Sequence, residues 1–232
     1  MAQRIVTALE ERLARVQEEV AEAALRSGRS PRDITIVAVT KTVGRAAVDE
    51  AYALGVRHFG ENRVQDARQK FAEPLPQDAS LHLIGQLQTN KAKYAVSLFD
   101  IIESVDRPSL IDELERQGAK RNTVVRILLE VNVSGEEQKA GCAPTDALSL
   151  VAHIERCPHL HLLGLMTMAP LVDDPELTRP VFRALRELRD RLCDEHPERQ
   201  LSILSMGMSN DFPIAIEEGA THVRIGRAIF GN

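Results

Sequence analysis

The feature that most limits what this chain can fold into is a recurrence. Short runs of β-branched and aliphatic residues alternate with longer segments whose apolar residues fall three and four apart. The runs at 34–39, 56–59, 81–84, 100–104, 124–133, 160–166, 201–204 and 222–225 read as strands. The segments at 46–54, 63–71, 90–98, 108–117, 145–156, 175–193 and 211–218 read as the helices between them. Runs such as Ile36-Val37-Ala38-Val39 are apolar on both faces, which is the pattern of a buried parallel strand. Regular β/α alternation puts helices outside a parallel sheet. Eight repeats in 232 residues predict an α/β fold of the closed (β/α)8, or TIM-barrel, type. An open doubly wound sheet would call for a glycine-rich turn after the first strand, and Thr40-Lys41-Thr42-Val43-Gly44 does not supply one. An extra helix at 4–26, with Ile5, Leu9, Leu13, Val16, Val20 and Leu25 on one stripe, is expected to pack on the outside. No linker-like stretch interrupts the pattern, so residues 1–232 are expected to form a single domain. Thr89 is a candidate N-cap, and Gly55 and Gly118 are placed to end helices.

Composition narrows the function classes. Aromatic residues make up 3 % of the chain and Trp is absent, so the core is expected to be aliphatic. A net charge of −5 with few aromatics argues against a nucleic-acid partner. Cys142, Cys157 and Cys193 have neither disulfide-framework nor zinc-ligand spacing and read as ordinary thiols. There is no signal-peptide core and no run long enough to span a bilayer, so a cytoplasmic protein is expected.

In a barrel of this kind the chemistry sits where the strands end. Those ends carry Lys41, Glu61-Asn62, Gly85, Ser104, Asn132, Met166-Thr167, the loop Ser205 to Ser209, and Gly226-Arg227. A lysine at the mouth of an apolar strand needs an anionic or a covalent partner. A salt bridge closing the barrel end is the plain alternative for Lys41. The loops after the seventh and eighth strands are where such barrels frequently bind phosphate. Gly207 and Gly226 permit close backbone approach, and Ser209 offers a hydroxyl. The same glycines also suit simple tight turns. Arg224, within the last strand, either faces the mouth or pairs with a carboxylate in the wall. His82 reads by default as a satisfied core histidine; Asn62 and Asn132 either orient a ligand or cap their own loops. A lysine facing a phosphate site suggests a phosphorylated aldehyde such as pyridoxal phosphate. A Schiff-base aldolase or a sugar-phosphate enzyme fits the spacing nearly as well.

Seven segments in order carry a resemblance: IVAVTK (36–41), GENRVQ (60–65), HLIGQLQTNK (82–91), VNVSGE (131–136), GLMTMAP (164–170), LSMGMSNDF (204–212) and VRIGRAIFG (223–231). Together they resemble the pyridoxal-phosphate homeostasis protein family, which is similar to the N-terminal domain of alanine racemases. The resemblance implies a barrel in which Lys41 holds pyridoxal 5'-phosphate as a Schiff base. It implies that Ser209, with the backbone of Met208, Gly226 and Arg227, holds the phosphate, that Arg224 faces the pyridine nitrogen, and that Asn62 and His82 lie beside the cofactor. Arg227 departs from the small residue expected after RIG. The family implies a monomer that binds and distributes the cofactor, with apo enzymes as recipients, no metal and no robust turnover. Racemases carry a second domain that supplies a catalytic tyrosine. This chain stops just past the eighth strand, and its two tyrosines, Tyr52 and Tyr94, fall in predicted helices. The enzyme alternative is a weak racemase or lyase using the same cofactor.

Overall fold

A computed structural model of the chain describes residues 6–136, 138–196 and 198–231. The start of the first expected helix, residues 4 and 5, lies outside the described residues, as do Glu137 and Asn232. Helix α1 (Ala8–Arg26) leads into β1 (Thr35–Val39), α2 (Arg45–Ala53), β2 (His58–Glu61), α3 (Val64–Lys70), β3 (Ser80–Leu83), α4 (Ala92–Leu98), β4 (Ile101–Val105) and α5 (Pro108–Arg121). The second half runs β5 (Val125–Glu130), α6 (Ala147–Glu155), β6 (Leu160–Met166), α7 (Arg179–Glu195), β7 (Ile203–Ser205), α8 (Phe212–Glu217), β8 (His222–Ile225) and α9 (Arg227–Phe230). The strands form a closed barrel in sequence order, every pair parallel. β8 returns to β1 with Val37 opposite Arg224 and Ala38 opposite Ile225, so the first and last strands share one edge.

Helix α1 buries Leu9, Leu13, Val16 and Val20 of the stripe its periodicity predicts, whereas Leu25, at the helix end, is exposed. It lies on the outside against α8 and α9. There Arg12 donates through Nε to the Ile229 carbonyl at 2.8 Å, and Arg29 donates to the Ala220 carbonyl at 2.7 Å. Arg12 satisfies a carbonyl that the end of α9 leaves open, and Arg29 one in the turn between α8 and β8. Between barrel and helices the core is aliphatic, as the composition requires, with Phe59, Phe182 and Phe212 as its largest buried side chains.

Several expected boundaries move. The second strand starts at His58 and runs through Gly60 to Glu61, two residues later than the Val56 run suggests. Thr89 does not cap α4. It opens a 3-10 turn, Thr89–Lys91, and its hydroxyl accepts from Arg107. Gly118 lies inside α5, and the left-handed residue that ends this helix is Asn122, at φ 50°. A Cβ on Gly118 would sit 2.8 Å from the Cβ of His159, so glycine there serves packing and not a helix stop.

The barrel interior is not uniformly aliphatic. Ile101, Leu128 and Met166 fill one side. On the other, the rings of His58, His82 and His222 meet with centroids 5.2 to 6.2 Å apart. They come from β2, β3 and β8, which lie on one arc of the barrel, so they fill its interior from the side facing away from Ile101, Leu128 and Met166. Branched aliphatic residues usually fill this space. Among the described residues no group of His, Cys, Asp and Glu is arranged to hold a metal ion, and no helix is long and apolar enough to cross a membrane.

Candidate functional site

The strand ends open into a pocket of about 540 Å³, well inside the roughly 300–1,000 Å³ span of small-molecule sites. Lys41, Asn62, Met208, Ser209, Arg224, Gly226 and Arg227 all line it, together with Ile84, Gln86 and the Met168–Val172 loop after β6. The seven residues come from the ends of β1, β2, β7 and β8, which the closed barrel brings to one mouth. His82 is not in the lining. It is fully buried on β3, in the layer beneath, and its position beside a cofactor is corrected to a place in the barrel interior.

Lys41 follows β1 on an exposed turn anchored by Val43 N–H donating to the Thr40 carbonyl at 3.1 Å. Among the described residues its ammonium has no hydrogen bond and no carboxylate within ion-pair distance, so the plain salt-bridge reading has no partner to support it. The residue before it is tightly held. Thr40 Oγ1 donates to Glu61 Oε1 at 2.6 Å, and Lys70 Nζ donates to the same oxygen at 2.6 Å and to the Thr40 carbonyl at 2.5 Å. The turn that carries Lys41 is therefore rooted in a buried ion pair behind the barrel wall.

Across the pocket, the two late loops are joined. Ser209 Oγ accepts from Ala228 N–H at 3.3 Å, and the Arg227 guanidinium donates to Asn210 Oδ1 at 3.3 Å. The serine hydroxyl hydrogen remains available, and the first turn of α9 directs its amides at the same space. Gly207 makes this loop possible. Its φ is +92°, and a Cβ there would come within 2.6 Å of the Ala215 Cβ. One expectation needs correcting: the Met208 N–H is already committed to Asp211 Oδ1 at 2.6 Å. That bond shapes the turn and removes Met208 as a free anion donor. Asp211 is buried, which pushes its carboxyl above the ordinary value against the pull of this bond.

Arg224 forms the floor. It is 4 % exposed, and two of its N–H groups are used: NH1 donates to Ser205 Oγ at 2.7 Å and NH2 to the Thr167 carbonyl at 2.8 Å. The remaining N–H groups of the guanidinium are left for the pocket. Burial lowers its pKa, opposed by the charges of Glu103, Glu130 and Asp211. Glu103 lies one hydroxyl away, accepting from Ser205 Oγ at 2.5 Å and from His82 Nδ1 at 2.7 Å. Burial pushes that carboxyl up, but the bonds and charges from His82, Arg224 and Ser205 outweigh it and hold the group at about 2. Glu130, also inside the barrel, has no such partners among the described residues. Burial and the Asp106 charge push it up to about 7 despite Arg224.

Other candidates fall away from the site. Asn132 caps its own loop, accepting from Ser134 Oγ and Gly135 N–H. Tyr52 donates to Asp78 and Tyr94 stacks under Arg68, both on outer helices. The three cysteines are unpaired. Sequence reasoning passed over Glu103 and Glu130. The available signal was a single carboxylate at an inward-facing position of an otherwise apolar strand end, since such groups are buried only with a partner or a purpose.

This is a (β/α)8 barrel whose mouth sets a lysine without a partner among the described residues opposite two joined loops, a lining suited to a small anion. The chain belongs to the pyridoxal phosphate homeostasis proteins, within the family described as alanine racemase, N-terminal domain, whose pattern matches residues 12–232. It is 45 % identical over 221 residues to the pyridoxal phosphate homeostasis protein of Aquifex aeolicus, covering 95 % of this chain and 96 % of that one. It is 39 % identical over 235 residues to the human protein of the same name, covering 94 % and 82 %. Among solved structures it superposes with a TM-score of 0.81 on PipY of Synechococcus elongatus with pyridoxal phosphate bound, at 39 % identity, covering 93 % of this chain and 100 % of that one. An alanine racemase of Clostridium difficile shares the fold with a TM-score of 0.74 at 13 % identity, this chain spanning 56 % of its length.

Proposed function

We propose that this chain is a single barrel domain that binds pyridoxal 5'-phosphate as a Schiff base on Lys41 and serves vitamin B6 homeostasis without sustained turnover. The observation that carries the reading is the Lys41 ammonium, without a partner among the described residues, which shares one pocket with the Ser209–Ala228 junction and Arg224. The donor set suits the cofactor group by group. Ser209 Oγ–H and the amides around Gly226 and Arg227 meet a phosphate, Arg224 meets the ring nitrogen, and Asn62 lines the wall beside the ring. Arg224 donates a hydrogen bond but gives up no proton, so the ring nitrogen stays unprotonated and the ring is a poor electron sink. When bound, the cofactor supplies a reactive aldehyde; the chain supplies its anchor, its anion site and its orientation.

The carrier reading is supported by what the pocket lacks. Neither tyrosine of the sequence reaches it, and Lys41 and Arg227 are exposed, so water is not excluded as turnover would demand. Relatives named for homeostasis point the same way. On this reading apo enzymes that use the cofactor are its recipients, and the protein acts in the cytoplasm as a monomer.

Borohydride reduction of the loaded protein followed by peptide mapping tests the anchor. A phosphopyridoxyl group on Lys41, absent in Lys41→Ala, is expected; an unmodified Lys41 in a protein without a chromophore sinks the reading. Incubation with a panel of amino acids in deuterated water tests the role. Exchange no greater than stoichiometric fits a carrier, and sustained exchange lost in Lys41→Ala establishes an enzyme.

A further inference from the structure

Arg224 is a buried cation with no carboxylate in direct contact among the described residues. That arrangement is costly unless a counter-charge is close. The counter-charge joined to it by hydrogen bonds is Glu103, on the far side of the barrel, reached through the single hydroxyl of Ser205. The chain of contacts continues from Glu103 to His82 Nδ1 at 2.7 Å and from His82 Nε2 to His58 Nδ1 at 2.9 Å. Glu103, Ser205 and His82 are each 0 % exposed. The groups facing Glu103 are thus His82 on β3, Arg224 and His222 on β8, Ser205 on β7 and Glu130 on β5, with His58 of β2 behind His82.

The polarity of this chain is fixed by chemistry. An ionised carboxylate only accepts. Both of its oxygens are taken, so the Ser205 proton points at Glu103 and a lone pair of the same oxygen points at Arg224. With that acceptor set, and the Thr167 carbonyl holding the other terminal nitrogen, the guanidinium plane is pinned and its spare donors face the pocket. A direct Glu–Arg fork would have used those donors in the wall. Interposing a hydroxyl keeps the charge compensated and the donors free.

We propose that Glu103, acting through Ser205, is the positioning residue for Arg224, and that it thereby sets the electronic state of a cofactor ring held on Lys41. This rests on the cofactor reading above. The whole protein is loaded with pyridoxal phosphate, and the absorbance of the bound chromophore is followed against pH in wild type, Glu103→Gln, Ser205→Ala, Arg224→Gln and the Ser205→Ala/Arg224→Gln double variant. Borohydride labelling of Lys41 is scored in each, and melting of the unloaded proteins is recorded alongside.

Glu103→Gln and Ser205→Ala are expected to keep the label on Lys41 yet displace the chromophore's titration by about half a pH unit or more, a threefold change in its equilibrium. Glu103→Gln shifts it downward, because a nearby negative charge that favours the protonated chromophore is removed. The double variant is expected to titrate like Arg224→Gln alone, since Ser205 then has nothing to act through. Chromophore titrations equal to wild type in both single variants, with only melting altered, would overturn the proposal, and so would shifts that simply add in the double variant. Where Glu103→Gln does not fold, Ser205→Ala and the double variant decide. Absence of label on Lys41 in wild type is a separate failure, that of the cofactor reading, and takes this proposal with it.

Discussion

Removing the Ser209 hydroxyl isolates the phosphate contact. In Ser209→Ala the lost bond to a charged group is worth about 1.5–3 kcal/mol, or roughly 10- to 150-fold in Kd. The structure reduces that figure. Ser209 Oγ accepts from Ala228 N–H at 3.3 Å, a long bond, so the truncation releases an amide that points at the same anion site. The released amide, fixed in the first turn of α9, cannot take the hydroxyl's place and recovers only part of this, about 1 kcal/mol. The expected net loss is therefore centred near tenfold, and Ser209→Thr, which keeps a hydroxyl, loses little. Folding stability falls by less than about 1 kcal/mol, because a long neutral bond at the mouth is all the fold gives up. Equilibrium dialysis with pyridoxal phosphate and with pyridoxal, which lacks the phosphate, measures the effect. The loss is confined to the phosphorylated ligand. An unchanged Kd for pyridoxal phosphate, or an equal loss for both ligands, refutes the placement of the phosphate at this serine.

Two stability predictions follow from the buried charges. The Glu130 carboxyl, pushed up to about 7 from 4.5, favours the folded state only while protonated; this contribution is fully present below the ordinary carboxyl value and is lost as pH rises through about 7. The span corresponds to roughly 3 kcal/mol, so Glu130→Gln is expected to match wild type in urea titrations near pH 4.5 and to exceed it by about 2–3 kcal/mol at pH 8.5; a constant difference across pH contradicts the assignment. Lys70→Met strips the partner from Glu61, which is 1 % exposed and has one oxygen already without a hydrogen bond, so a loss of about 3–5 kcal/mol is expected. Adding Glu61→Gln is expected to recover more than half of it, and a double variant no more stable than Lys70→Met shows that the pair is not coupled.

The barrel was legible because its signal is local and repeated. Each apolar run and each amphipathic helix reports its own state, and eight of them leave few topologies. That Lys41, Ser209, Gly226 and Arg224 share one pocket was legible for a related reason: strand ends can be read in order and the closed barrel makes them neighbours. His82 was misplaced because its inward parity does not fix its level: it lies within β3 (Ser80–Leu83) and fills the layer beneath the mouth. The Glu103–Ser205–Arg224 relay was illegible because its first link joins residues 102 positions apart, and no spacing rule spans that distance. Gly118 misled because a glycine near a helix end usually marks the stop, and here its reason lies on the next repeat, at His159.

The seam between β1 and β8 gives the site a place in time. During synthesis the strand that leads to Lys41 emerges early, while Arg224, Gly226 and Arg227 emerge only after seven other strands have been made. Until then the lysine faces an incomplete ring, and an aldehyde captured there would find neither anion site nor floor. A ligand spanning Lys41 and the Gly226-Arg227 turn bridges the two edges that meet last, so it acts as a fastener on a hoop. Occupancy of the pocket should therefore resist the opening of that particular seam, and hydrogen exchange along β1 and β8 is where the cofactor's grip on the fold would be read most directly.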